Sequence, residues 1–174
     1  DGIRASGFEV VNAQGGVVAT IGMDGVGDGW VEVFGKRGNT VATVGSHPDG
    51  GGSVAVLNNV GKIVAGVGTN PLGGGSIGVS NRNGIQIAHL GESSLGGGSI
   101  DVSNKNGVRV AGLAVNPLDG GGLAVSNKEG IQVVSMGVDE EGNGAFNTFD
   151  RKGEVFAGAF LGEYGGSMRV FNNE

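Results

Sequence analysis

The stretch "GGGSIGVSNRNGIQIAHLG", Gly73 to Gly91, is followed 23 residues on by "GGGSIDVSNKNGVRVAGLA", Gly96 to Ala114. The two match almost residue for residue, so the chain is read as a tandem repeat. Gly15, Gly38, Gly61, Gly84, Gly107, Gly130 and Gly153 mark the same 23-residue step over the chain. Three residues before each stands Asn12, Gly35, Asn58, Asn81, Asn104, Asn127 or Asp150. Asn or Asp at the first position and Gly at the fourth suit a type I turn closed by a glycine in the left-handed region. Such a turn joins two antiparallel strands through a bulge. One repeat therefore predicts one β-hairpin.

The pattern around the turns sets an expected register. With Asn12 opposite Gly16, Val10 faces Val18 and Phe8 faces Thr20. The Phe8, Val10 and Val18 columns are apolar in nearly every repeat, which predicts one buried face. On the other side, the pairs next to the turn change together. Phe34/Thr40 and Leu57/Ile63 are mostly apolar, whereas Ser80/Gln86, Ser103/Arg109 and Ser126/Gln132 are polar. Cross-strand neighbours behave in this way. A column of small residues, Ala19, Ala42, Ala65, Ala88 and Ala111, is expected on this second side and suggests close approach of another layer. Val79, Ile87, Val102 and Val110 are expected in the core, with Ser80, Gln86, Ser103 and Arg109 nearer solvent. Eight-residue loops such as "TNPLGGGS" and "VNPLDGGG" are expected between hairpins. The last connection, "LGEYGGS", is one residue shorter.

The chain reads as all-β over residues 1–174, one repeat domain of seven hairpins and a terminal half repeat. About 15 short strands, at roughly 4.8 Å each, predict a ribbon about 70 Å long. Its apolar face needs a cover. Several identical ribbons can face one axis as a β-prism, or one chain can coil as a β-solenoid-like rod. A closed barrel of so many strands is left hollow by side chains this small. The hairpin turns favour the prism, because a solenoid needs corners rather than reversals.

Composition agrees. The chain has 40 glycines among 174 residues, about three times ordinary usage of roughly 7%. Three prolines exclude collagen, and regularly spaced Val and Ile argue against disorder. No cysteine is present, so disulfides and thiolate metal sites are excluded. A net charge of -6 and a pI near 4.8 argue against nucleic acid as a partner. No apolar run is long enough for a membrane-spanning helix. The opening "DGIRASGF" does not read as a signal peptide, which makes the start either a mature terminus or an excerpt.

Units such as "SIDVSNKNGVRVAGLA" resemble the hairpin repeats of bacterial and phage fibrous proteins. The resemblance implies trimeric β-prisms or triple-stranded β-helices serving as shafts, stalks or receptor-binding tips. It supplies no functional residues. The expected function is a non-enzymatic, extracellular or cell- or virion-surface, structural or adhesive fibre segment. Its partners would be further copies of itself, as homotrimer or filament, and a surface glycan or receptor. The alternative is a receptor-binding fibre with a glycan-binding or glycan-cleaving groove.

Few residues suggest chemistry. In "DEEGNGAFNTFD", Asp139, Glu141, Asn143 and Asp150 have a spacing that suits a calcium loop. The repeat frame explains the same letters, since Asp150 holds a turn position and Phe146 an apolar column. No metal or cofactor is therefore assigned. Glu9, Glu32 and Asp101 lie on the less apolar face and are the carboxylates a glycosidase would use, although solvated charge explains them as well. His47 and His89 are the imidazoles, and no segment places Ser, His and Asp in a nucleophile turn. Trp30 and Tyr164 offer little for stacking on sugars. The end strands, Phe8–Val11 and Met168–Phe171, carry Glu9 and Arg169 and contain no proline to blunt an open edge.

Overall fold

The computed structural model describes residues 5–46, 51–139, 141–162 and 165–171. All of its regular structure is antiparallel β, with no helix among the described residues. The chain divides into two units, residues 1–86 and 87–174.

The first unit contains β1 (Phe8–Val11), β2 (Val17–Met23), β3 (Gly29–Phe34), β4 (Thr40–Ser46), β5 (Gly52–Leu57), β6 (Ile63–Thr69) and β7 (Gly75–Ser80). Each pairs antiparallel with the next in chain order. The second contains β8 (Gln86–Glu92, entered one residue before the division), β9 (Gly98–Ser103), β10 (Arg109–Val115), β11 (Gly121–Ser126), β12 (Gln132–Val138), β13 (Gly144–Phe149), β14 (Val155–Gly162) and β15 (Gly165–Val170). These too form a meander in chain order. Within each unit the meander is open, its first and last strands not pairing with each other as they would in a closed barrel. Within each unit the described strands reverse direction from one to the next, as the hairpin repeat predicts.

The turns explain the repeat. Asn12 N–H donates to the Gly16 carbonyl at 2.9 Å and Gly15 N–H to the Asn12 carbonyl at 3.0 Å. The Asn12 Oδ1 accepts from the N–H groups of Gln14 and Gly16 at 3.0 and 2.9 Å. One short side chain thus satisfies two turn amides, which is why Asn and Asp recur there. Gly107, at the fourth position, has φ +83°, a conformation that a side chain would strain.

The expected eight-residue loops are replaced by a second row of the same turn. Asp24, Asn70, Ser93, Asn116 and Asp139 each donate N–H to the carbonyl four residues on. In "VNPLDGGG" the left-handed position falls to Asp119, the one described non-glycine residue with positive φ, at 61°. Where both connections are described, a repeat is therefore two equivalent turns, not one turn and one loop.

The register also differs from expectation. Val11 pairs with Val17, but Val10 pairs with Ala19 and Phe8 with Ile21, so Val18 is left as a β-bulge. The same irregularity recurs at Val33/Phe34, Val56/Leu57, Val125/Ser126 and Thr148/Phe149. One extra residue moves everything beyond it to the other side of the strand. The alanine column consequently joins the apolar face instead of the opposite one.

The expected burial does not occur within the chain. Val79 and Val102 keep 42% and 46% of their surface exposed, and Ile87 and Val110 are only half-buried. No described hydrophobic side chain is buried. A single layer has no second layer to exclude water.

Candidate functional site: two unlike faces

In the first unit, two columns run across the apolar face. Cross-strand pairs link Phe8, Ile21, Val31, Val44, Val54, Val67 and Ile77 in one column. The other is Val10, Ala19, Val33, Ala42, Val56, Ala65 and Val79. It carries no charge and no hydrogen-bonding side chain. In the second unit the columns begin at Leu90 and Ala88 and end at Met168 and Val170. Thr148 is the polar member there, and its hydroxyl donates to the Ala157 carbonyl at 3.3 Å.

The opposite face is mixed: polar side chains and glycines occupy its middle, close to the backbone, while Val11, Phe34 and Leu57 with their partners lie next to the turns. Glu9, Thr20, Glu32 and Thr43 follow one another across β1–β4. In the second unit His89 pairs with Asp101, and Asp101 with Gly112. Long side chains on this face lie over glycines of the neighbouring strand. The Arg109 guanidinium occupies the space that a Cβ on Gly112 would take, and it forms an ion pair with Asp101. Gln86 covers Gly78, and Asn147 covers Gly158. Trp30 lies against Gly22 and Gly45 rather than standing free as a stacking platform. In β14 and β15, the Arg169 guanidinium sits 5.0 Å from the centre of the Phe160 ring.

The turns form stacked rows along the edges. Asn58 Nδ2 donates to the Arg82 carbonyl at 2.9 Å, linking a turn of the first unit to the next on the same edge. In the second unit, Asn104 reaches the Lys128 carbonyl at 3.1 Å and Asn116 the Val138 carbonyl at 3.3 Å. Two turn aspartates are held below the ordinary carboxylate range. For Asp24 the main cause is the N–H of Asp28, then that of Val26. For Asp150 it is the N–H of Glu154, against a desolvation cost, helped by the N–H and charge of Lys152.

The expected turn glycines Gly15, Gly38, Gly61, Gly84, Gly107, Gly130 and Gly153 have φ between +76° and +87°. The calcium candidates are not brought together. Asp139 begins the turn before β13 and Asp150 begins the turn after it, about 20 Å apart along a six-residue strand. The Asp139 Oδ1 is occupied by the N–H groups of Glu141 and Asn143. Among the described residues no group of three His, Cys, Asp or Glu side chains could hold a metal ion. Glu9 and Glu32 are two strands apart with Thr20 between them. His47 and Tyr164 lie outside the described residues.

Sequence reasoning missed the second row of turns. Its signal was present in Asp24, Asn70, Ser93, Asn116 and Asp139, which keep the 23-residue frame with His47 standing at the step between the first two. The crowd of neighbouring glycines hid which glycine closed each turn.

No known protein family matches the chain, and no curated protein does. Similar solved structures include the TCP domain of Drosophila melanogaster SAS-4 (dCPAP), in complex with a proline-rich motif of Ana2 (dSTIL). It aligns over 98% of this chain and 94% of its own, at 9% identity and a TM-score of 0.48. The wild-type TCP10 domain of Danio rerio CPAP, in complex with a STIL peptide, aligns over 96% and 98% at 9% identity and a TM-score of 0.16. Both are TCP domains rather than bacterial or phage fibres. Likeness this distant carries no argument about function.

Proposed function

We propose that this chain is a non-enzymatic structural or adhesive segment of an extracellular or surface fibre, which covers its apolar face by assembling with further copies of itself. The observation that carries the reading is the uncovered face. No described hydrophobic side chain is buried, while valines and isoleucines line one side of each unit. Isolated soluble proteins seldom expose more than a few hundred Å² of contiguous apolar surface. A repeated hairpin with rigid, side-chain-capped turns suits a spacer, and nothing in its polar face requires a reaction.

Sedimentation equilibrium on the 17.2 kDa chain, beside negative-stain imaging, tests the reading. Oligomers or rods are expected. A monodisperse monomer at roughly 100 µM, well above ordinary interface affinities, would overturn the assembly. Cleavage of any member of a broad polysaccharide panel would overturn the non-enzymatic assignment.

A further inference from the structure

We infer that the first unit packs face to face on the same unit of a second copy, with valines of one copy entering hollows over alanines of the other. The inference rests on the assembly proposed above and names its surface and its occupant. Across β1–β7 the second apolar column alternates strictly between valine and alanine. Odd strands present Val10, Val33, Val56 and Val79, and even strands present alanines. Bulges or hollows therefore recur every second strand, about 9.6 Å apart. A lipid surface or an irregular protein surface has no such period. A second copy has the identical one, and a shift of one strand, about 4.8 Å, sets large against small all along that column.

The area is sufficient. Phe8, Val33 and Val67 keep 45%, 41% and 54% of their surface exposed, the other large column members except Val31 are similar, and Val31 and the alanines are half-buried. The two columns together offer on the order of 700 Å² of apolar surface, close to the roughly 800 Å² per partner of a stable interface. Sheets packed this way lie about 10 Å apart, a gap that two interdigitated layers of Val and Ala can fill. No charge on this face would be stripped of water. The opposite face carries Glu9 and Glu32, which would meet their like in the reversed packing.

The test uses the full chain and sedimentation equilibrium. Ala42→Leu fills one hollow and is expected to weaken self-association about tenfold or more, in keeping with the cost of overpacking. Ala55→Leu makes the same change on the opposite face of the next strand and should leave it unchanged. Circular dichroism checks that each variant keeps its β signal. If Ala42→Leu does not fold, Ala42→Ser replaces it, with a several-fold weakening expected and equal affinity overturning the inference. Self-association untouched by either Ala42 variant, or weakened only by Ala55→Leu, overturns the interface and leaves the proposed assembly standing. A chain that stays monomeric overturns both. A monomer that floats with phosphatidylcholine vesicles assigns the face to lipid and overturns the inference.

Discussion

The two faces of the first unit arise from the same strands, yet they handle side chains in opposite ways. On one, Val44 and Val54 stand up from adjacent strands as a cross-strand pair with nothing above them. On the other, Thr43 faces Ala55, and Gln86 folds down over the bare backbone of Gly78. The middle of the second face is thus covered within one chain, since its long side chains have neighbouring glycines to lie on, although Val11 and Ile63 beside the turns stay exposed. The apolar face cannot do so. Valine is too short to reach across a strand, and water gains nothing by contact with it. Glycine therefore has two separate duties here: turning the chain at the edges, and flattening one face within the strands.

Charging the two faces in turn should separate them most clearly. Val44→Asp should cost the assembly on the order of 4 kcal/mol, because it puts an unpaired carboxylate into a covered apolar layer. Thr43→Lys, one residue away on the other face and directly opposite Glu32, should stay within about 0.5 kcal/mol. Urea unfolding of the two variants at equal concentration reads the difference, and equal effects would dissolve the distinction between the faces.

A defect in the turns should spare neither face. Gly107→Val places a branched side chain at φ +83° and should destabilise by about 1–3 kcal/mol. The urea midpoint should fall whether or not the protein is assembled. The reverse change is available at Asp119, whose φ is 61° where the equivalent turns hold glycine. Asp119→Gly should stabilise by about 0.5–1 kcal/mol, seen as a higher melting temperature. No change there would mean that the aspartate relieves its own strain through the loop.

Smaller effects sharpen the account of the polar face. Gly112→Ala should push the Arg109 guanidinium off the strand and break its pair with Asp101. Because Arg109 is flexible and half exposed, stability should change by less than about 0.5 kcal/mol. Loss of slowed exchange at the Arg109 Nε proton would report the broken pair. The smallest effect is a dependence on acid. Backbone N–H groups, that of Asp28 foremost, hold the Asp24 carboxyl below the ordinary carboxylate range. A depressed carboxylate contributes stability above the unfolded value and loses it as pH falls through the lower folded value. Asp24→Asn keeps the Oδ1 acceptor and removes the titrating proton. Its melting temperature should therefore decline less below about pH 4 than that of the parent protein.

The sequence by itself determined a great deal that is local. The 23-residue step, the side-chain-capped turns at Asn12 and its equivalents, and the antiparallel hairpin all follow from residue types at fixed offsets. The apolar identity of the Phe8 and Val10 columns was legible too, because strand side chains alternate with a period of two. Where Val18 points was not legible. A valine serves equally well in a paired strand position or in a bulge, so no residue type announces that the ladder skips it. That one skipped residue decided that Ala19 lies beside Val10 and Val33, and so gave the apolar face its alternation of large and small. The exposure of Val79 and Val102 was likewise settled only in three dimensions. A hydrophobic pattern says which side must be covered, whereas burial depends on a second layer that one sheet of one chain does not supply.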